Sequence, residues 1–376
     1  MKSKRLRVGI DGRLVVRGLG IAQFILSLTD QIAEYVDVIW FGHPETAPDG
    51  VASVQSLRGL PYPALESPYG RFIAKSHHLD IFHFTGNTGW TTRGPVPFIL
   101  TVHDAIFMDS RVRGRRPRQV AGHRYARWNL RRAIRHASVV TTVSHASANR
   151  LSRHFPDVSL AVIPNATDVP TRVSRQRHSF DFALVFGSHD PRKGLELAYR
   201  GWVEAGRTPE QLYVLCGRGL GENFRRVAAL DVEAGRVKLV PYLTRAELLD
   251  LIRRAGVLLY PSLDEGFGFP VLEAMACGTP VITGLAPATL EVGGDAVARI
   301  DPISPVASIA GHLQKLDVDP RLRSELARAG MFRARNFSWS TSAKRYLAVY
   351  EAASGVRMPA DLHPVEHEES TSTRLP

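Results

Sequence analysis

The chain predicts an α/β protein made of two doubly wound, parallel-sheet halves. Two observations carry this. Short apolar runs alternate with helix-length segments from Val8 to Ala353, the pattern of βαβ units. The alternation then stops and restarts around Thr167–Ser179, a polar, basic interval that contains Pro170 and reads as a linker. A chain of 376 residues with 44% hydrophobic residues has the length and apolar content for two such domains.

In the first half, Val8–Ile10 reads as a strand, Ile21–Tyr35 as a helix and Val36–Phe41 as the next strand. Ile81–Phe84 and Phe98–Val102 follow as short apolar strands, Ala121–His136 as a helix, Val139–Val143 as a strand, and Ala161–Pro164 closes the half. The second half repeats the scheme. Phe182–Phe186, Leu212–Cys216, Val237–Val240, Val257–Tyr260 and Pro280–Thr283 read as strands. Leu195–Ala205, Arg245–Ala255 and Val271–Ala276 are the helices between them, and Leu322–Arg333 and Thr341–Ala353 end the ordered chain. Residues 355–376, rich in Pro, Glu, Ser and Thr, read as a disordered tail. Two such halves imply a cleft at the carboxyl ends of their strands, where open α/β sheets bind ligands.

Composition narrows the function classes. No apolar run approaches the roughly 20 residues of a membrane span, and the basic Met1–Arg7 leads straight into a strand-like segment. A cytoplasmic protein is expected, with a peripheral place at the inner membrane face left open. Cys216 and Cys277 lie in apolar contexts, which suits two buried thiols better than a disulfide or metal site. The formal charge is +12, and Arg111–Arg135 holds ten arginines and no acid. That stretch is either a solvated helix face or a patch for anionic lipid or an anionic acceptor. It matches no nucleic-acid module.

The most telling segment is Pro261-Ser-Leu-Asp-Glu-Gly-Phe-Gly-Phe-Pro-Val-Leu-Glu273. Glycines at 266 and 268 let backbone approach a ligand. Pro270 suits a helix start, where free N–H groups attract phosphate. Glu265 and Glu273 can accept from vicinal hydroxyls. A second constellation, Leu184-Val-Phe-Gly-Ser-His-Asp-Pro-Arg-Lys-Gly194, sets Arg192 and Lys193 just before a helix. Cations there are explained by a bound diphosphate. Gly18 and Gly20 lie between the first strand and helix, but the dinucleotide pattern would want glycine where Gln23 stands. A nicotinamide cofactor is therefore disfavoured. His103-Asp104 follows the strand Phe98–Val102 at its cleft-facing end. Asp317-Val-Asp319 reads as solvent loop, not a metal pair.

The glutamate loop, continued as Ala274-Met-Ala-Cys-Gly-Thr-Pro-Val-Ile-Thr283, resembles the signature of retaining glycosyltransferases of family 4. Gly187–Lys193 resembles the mannosyltransferase-like branch. Thr101–Asp104, Val143–His145, Leu290–Ala296 and Phe337–Trp339 stand in the expected order. The resemblance implies the GT-B fold, two facing Rossmann-like domains with a cleft between them. It implies an N-terminal acceptor-side domain at 1–168, a donor domain at 180–340, and a helix at 341–354 that packs back toward the first domain.

It also implies site roles. Glu273 would hold ribose hydroxyls. Glu265, with the amides of Gly266, Phe267, Gly268 and Phe269, would hold the donor sugar. Arg192 and Lys193 would neutralise the diphosphate, which Gly18, Gly20, Gly187 and Ser188 approach. Tyr242 and Leu243 belong to the base-binding turn, and His103 sits near the transferred sugar. Relatives of this type often carry Arg at the position of Ser188, Gly at Pro241 and Gly at Ala166. The implied reaction moves a hexose, mannose first, from GDP-mannose or a UDP-sugar to a saccharide or lipid-linked acceptor. No metal or other cofactor is implied. The alternative is a non-catalytic, sugar-nucleotide-binding partner subunit.

Overall fold

The computed structural model describes residues 5–15, 20–109, 117–167, 180–216, 220 and 222–357, leaving aside the side chains of 117–119. Gly18, Arg111, most of the expected linker and nearly all of the expected tail lie outside the described residues.

Among the described residues thirteen strands form two sheets. The first contains β1 (Arg7–Asp11), β2 (Asp37–Gly42), β3 (Ser53–Ser56), β4 (Ile81–Phe84), β5 (Phe98–Val102), β6 (Val139–Thr142) and β7 (Leu160–Val162), in the order β3-β2-β1-β4-β5-β6-β7. The second contains β8 (Phe182–Phe186), β9 (Gln211–Leu215), β10 (Val237–Val240), β11 (Val257–Tyr260), β12 (Val281–Thr283) and β13 (Ala298–Arg299), in the order β10-β9-β8-β11-β12-β13. Both sheets are parallel, as in Val8↔Val38 of β1 and β2 and Leu258↔Leu184 of β11 and β8. The chain order reverses between β1 and β4 in the first sheet and between β8 and β11 in the second. Ligands bind at such switch points because loops leave the two neighbouring strands in opposite directions.

The helices are α1 (Gly20–Ile32), α2 (Pro68–Ser76), α3 (Pro117–Ala133), α4 (His145–His154), α5 (Leu195–Glu204), α6 (Glu222–Val227) and α7 (Ala229–Glu233). After them come α8 (Arg245–Arg254), α9 (Phe269–Ala276), α10 (Pro287–Gly293), α11 (Pro305–Val318), α12 (Pro320–Ala334) and α13 (Trp339–Ser354). β4, β5, β8 and β11 coincide with the expected strands, because each is a largely apolar run buried on both faces or nearly so; β10 also coincides, although Lys238 and Leu239 are exposed at the sheet edge. β3 is different: its Ser-Val-Gln-Ser is polar and largely exposed at a sheet edge. Only pairing with β2 makes it a strand. Helix α4 is polar overall; Ser144 starts it by accepting from the Ser147 N–H.

The chain divides into two compact units, one of Met1–Leu100, Arg132–Val139 and Trp339–Pro376, the other of Thr101–Arg131 and Val140–Ser338. In the first unit α13 packs on α1 and β4 through buried Tyr346 and Tyr350. Tyr350 OH lies 2.8 Å from His83 Nδ1, both groups buried. Tyr350→Phe is expected to cost about 1–2 kcal/mol by removing that partner, read as a lower midpoint in urea with an unchanged slope. The second unit centres on Val185, Trp202, Leu212, Val257, Ile282 and Leu313, which are fully buried.

Two smaller expectations change in detail. Two buried thiols are expected from the sequence; both are free, but Cys216, just past β9, is half-buried and Cys277 alone of the two is buried. Asp317 and Asp319 flank a helix junction: Asp317 ends in α11, and Asp319 caps α12 by accepting from the N–H groups of Arg321 and Leu322. Among the described residues no group of His, Cys, Asp and Glu is arranged to hold a metal ion.

Candidate active site

Two loops leave adjacent strands at the switch point of the second sheet. One follows β8 and carries Gly187 to Gly194. The other follows β11 and carries Pro261 to Gly268. Gly187 is glycine for lack of room: a Cβ there would lie 2.7 Å from a Leu220 methyl and 2.8 Å from a Val214 methyl. Asp190 caps a 3-10 turn, Pro191–Lys193, by accepting from the Arg192 N–H. Gly194 ends that turn with φ +67°, and a Cβ there would sit 2.2 Å from the Pro261 carbonyl oxygen. The turn is therefore pressed against the second loop. The Leu263 N–H donates to the Arg192 carbonyl at 2.7 Å and clamps the two together.

The carboxylate of Glu265 is the centre of this clamp. Its Oε1 accepts from Tyr260 OH at 2.6 Å and from Ser262 Oγ at 2.6 Å, and Lys193 Nζ lies 2.7 Å away. Among the described residues its Oε2 has no hydrogen-bond partner. Burial, then the charge of Glu265, raise the Tyr260 phenol well above its ordinary range, so it stays a donor. Arg192 grips Asp190 through Nε and Nη2, at 2.9 and 2.5 Å. Desolvation opposes the charge on both. Their hydrogen bonds outweigh it, lowering the Asp190 carboxyl and raising Arg192. Desolvation raises Asp104, against the Ile106 N–H and the charge of Arg192.

The segments after β5 and β6 meet the same loop within this unit. A Cβ on Gly266 would lie 2.3 Å from the His103 carbonyl oxygen. Ser144 Oγ donates to the Gly266 carbonyl at 2.6 Å, and Ser147 Oγ lies 3.0 Å from it. Arg150 pairs with Asp264 at 2.8 Å. Glu291 accepts from the N–H groups of His145 and Ala146 at the start of α4. Helix α9 begins at Gly268, φ +114°, with Pro270 in its first turn. Its Glu273 is buried and pairs with Arg245 of α8, whose Nη2 also donates to Thr167 Oγ1 at 3.0 Å.

His103, Arg192, Lys193, Glu265 and Gly266 are thus brought together, although up to 163 positions separate them. Phe267 and Phe269 pack edge to face, and Phe267 also meets Phe337, so the Phe267 ring serves the loop's packing. Ser188 Oγ accepts from the Asp190 N–H. Tyr242 is exposed and Leu243 half-buried on the connection from β10 to α8, whose Thr244 forms a capping box with Glu247. Gly20 begins α1 in the other unit. Sequence reasoning missed Tyr260, Ser262, Arg150, Asp264 and Arg245. Tyr260 and Ser262 stand two apart at a strand end, a weak signal; Arg245 carries none.

Gly194→Ala is expected to lose about 2 kcal/mol or more, from positive φ and the clash with Pro261 together. Thermal unfolding checks it, and Gly311→Ala, where a Cβ meets nothing within 4 Å, is the control.

Two parallel doubly wound sheets, with a glycine loop and a cationic turn clamped at a switch point, define the GT-B class of α/β glycosyltransferase architecture. The family description "Glycosyltransferase Family 4" matches residues 20–170, and "Glycosyl transferases group 1" matches residues 171–331. The chain belongs to this glycosyltransferase family, a Family 4 domain followed by a group 1 domain. It is 28% identical over 245 residues to "O-antigen chain mannosyltransferase B" of Escherichia coli, covering 61% of this chain and 64% of that protein. It is 29% identical over 335 residues to "D-inositol 3-phosphate glycosyltransferase" of Salinispora tropica, covering 75% of this chain and 65% of that protein. The matches span a little under two thirds of the length of these relatives. The solved sucrose-phosphate synthase of Thermosynechococcus elongatus has a TM-score of 0.69 at 19% identity, covering 93% of this chain and 99% of that one; at that identity the likeness is one of fold.

Proposed function

We propose that the protein is a retaining, metal-independent transferase. It moves a hexose, mannose first, from GDP-mannose or a UDP-sugar to a hydroxyl of a saccharide or lipid-linked saccharide. The observation that supports this best is the clamp of the Arg192–Lys193 turn onto Glu265 at the switch point. Arg192 and Lys193 take the diphosphate, with N–H groups at the start of α9. Glu265 is held through Oε1 by Tyr260 and Ser262, which leaves Oε2 to accept from donor-sugar hydroxyls. Glu273 and the Tyr242–Leu243 connection take the nucleoside. His103 lies beside the transferred ring.

As the bond from the anomeric carbon to the diphosphate oxygen breaks, negative charge grows on the departing oxygen. Fixed cations beside it lower the barrier because they need no reorganisation at that moment. They also supply the countercharge a metal would bring. The acceptor hydroxyl attacks from the face the diphosphate leaves, passing its proton to the departing phosphate oxygen. The domain division at 168–180, with the acceptor side before it, belongs to the same reading. So does contact of Arg111–Arg135 with anionic membrane.

Mannose comes first on the name of the Escherichia coli relative; the Salinispora relative's name adds D-inositol 3-phosphate to the acceptors worth testing. The test is a thermal-shift panel of nucleotide sugars, followed by assay of nucleoside diphosphate release with EDTA present. GDP-mannose is expected to raise the midpoint through mass action and to turn over with an acceptor. Stabilisation without turnover under any acceptor favours the partner-subunit alternative. No shift with any donor overturns the proposal.

A further inference from the structure

Helix α4 is polar along most of its length, yet two serines at its start are buried: Ser144 is fully covered and Ser147 nearly so. Buried hydroxyls need partners, and these two converge on one. Ser144 Oγ accepts from the Ser147 N–H at 3.0 Å, and its single proton goes to the Gly266 carbonyl at 2.6 Å. Ser147 Oγ lies 3.0 Å from the same carbonyl and 3.1 Å from that of His103. All four residues belong to the second unit.

The carbonyl belongs to the peptide that joins Gly266 to Phe267. That peptide is trans, so its oxygen and the Phe267 N–H point in opposite directions. With the oxygen fastened to α4, the N–H is turned away from α4. Phe267 is only 5% exposed, and a buried N–H without an acceptor is uncommon. Yet among the described residues the N–H groups of Gly266, Phe267 and Gly268 have no hydrogen-bond partner.

Gly266 cannot hold this setting by itself. It has to be glycine, because a Cβ there would lie 2.3 Å from the His103 carbonyl oxygen. Glycine, however, turns freely about its backbone bonds. Its peptide could rotate and aim the carbonyl oxygen where the N–H now points, and that oxygen repels any ligand oxygen. The two hydroxyls remove this freedom. Helix α4 is itself held in place. Arg150 pairs at 2.8 Å with Asp264, two residues before Gly266. Glu291 of α10 accepts from the N–H groups of His145 and Ala146 at 2.8 and 2.9 Å, a carboxylate at the positive end of the helix.

We propose that Ser144, supported by Ser147, is a positioning residue for the donor. It sets the Gly266–Phe267 peptide so that the Phe267 N–H donates to an oxygen of the bound sugar nucleotide. Ser144 acts through the peptide, not on the ligand, and its role rests on the donor site put forward under the proposed function.

The test is calorimetric titration of the full chain with GDP-mannose and with UDP-glucose. The variants are Ser144→Ala, Ser147→Ala, Ser144→Thr and Ser67→Ala. Ser67 is a matched control in the first unit. It caps α2, accepting from the Tyr69 N–H at 3.2 Å and donating to the Ala64 carbonyl at 2.6 Å, the same pair of bonds with no glycine loop behind them. Losing a cap lowers the thermal midpoint of Ser144→Ala and Ser67→Ala alike. Only Ser144→Ala should also bind the donor about tenfold more weakly, the worth of one hydrogen bond to the ligand. Ser147→Ala, which leaves the cap intact, should weaken binding about threefold, since its hydroxyl is shared with His103. Ser144→Thr keeps the hydroxyl and should bind as wild type does. Wild-type affinity in both Ser144→Ala and Ser147→Ala overturns the proposal, as does an equal loss in Ser67→Ala. A wild type that binds neither donor overturns the proposed function instead. The setting of the peptide is then read from the carbonyl carbon resonance of Gly266, which should shift in Ser144→Ala and not in Ser144→Thr; an unmoved resonance overturns the positioning role.

Discussion

Glu265→Gln is expected to lower turnover about 100-fold or more, the size of effect seen when one preorganised electrostatic group is removed from a transition state, while the fold stands. Glutamine is nearly isosteric, so the backbone of the loop has no reason to move. The electrostatics do change. In the wild type one oxygen gathers Tyr260 OH, Ser262 Oγ and Lys193 Nζ. A neutral amide holds Lys193 less firmly, and it can offer its NH2 group where, in the proposed function, the carboxylate presents a second acceptor to the sugar. Release of nucleoside diphosphate at saturating donor reads the rate, and donor-induced thermal shift reads binding. A loss mainly in kcat identifies a contact that strengthens in the transition state. Lys193→Met should also slow the reaction, and the double variant should lose less than the product of the two single losses, because both changes break one contact. Turnover of Glu265→Gln within about threefold of wild type contradicts the role given to this carboxylate.

Asp231→Asn is expected to destabilise the second unit by about 3 kcal/mol, a fall in midpoint of roughly 10 °C for a unit of this size. Asp231, in α7, is 1% exposed. It receives Tyr199 OH at 2.7 Å, Arg207 Nε at 2.8 Å and Arg236 Nε at 2.6 Å. Burial opposes its charge, but these hydrogen bonds prevail and lower its pKa from 3.8 to about 2. The difference, 3.8 − 2 = 1.8 units, corresponds to roughly 2 kcal/mol. A carboxylate lowered in the folded state stabilises above its unfolded pKa. That stabilisation is lost as pH falls from about 4 toward about 2. Wild type should therefore show a stability slope in that window that Asp231→Asn lacks. Equal midpoints at pH 7 for the two proteins would show that the solvent-facing arginines contribute nothing to the fold.

Reading the elements from sequence succeeds where burial is uniform. β8 and β11 are runs of apolar residues between turn signals, and their limits follow from composition alone. β3 and α4 escape because Ser-Val-Gln-Ser and His-Ala-Ser-Ala-Asn carry no apolar period; pairing with β2 and the Ser144 cap make them regular. The site divides in the same way. Glu265, Gly266, Gly268 and Pro270 lie in one contiguous segment whose chemistry is visible in the letters. Arg150, which pairs with Asp264, and Arg245, which pairs with Glu273, are two among many arginines in a chain of charge +12. Nothing local marks them.

By itself the sequence determined the α/β class, the position of most strands, and the presence of a glycine-and-glutamate loop with a separate cationic turn. These depend on residues close together in the chain, where period and turn chemistry act. Only the tertiary structure decided that the turn at 192–193 closes on Glu265, that Glu273 is buried against Arg245, and that Ser144 of α4 meets the Gly266 carbonyl. Each of those outcomes depends on which strands and helices become neighbours, as when β11 pairs with β8 across 74 residues (Val257↔Ala183). That choice is made by burial and parallel pairing over the whole sheet, to which no short stretch of sequence has access.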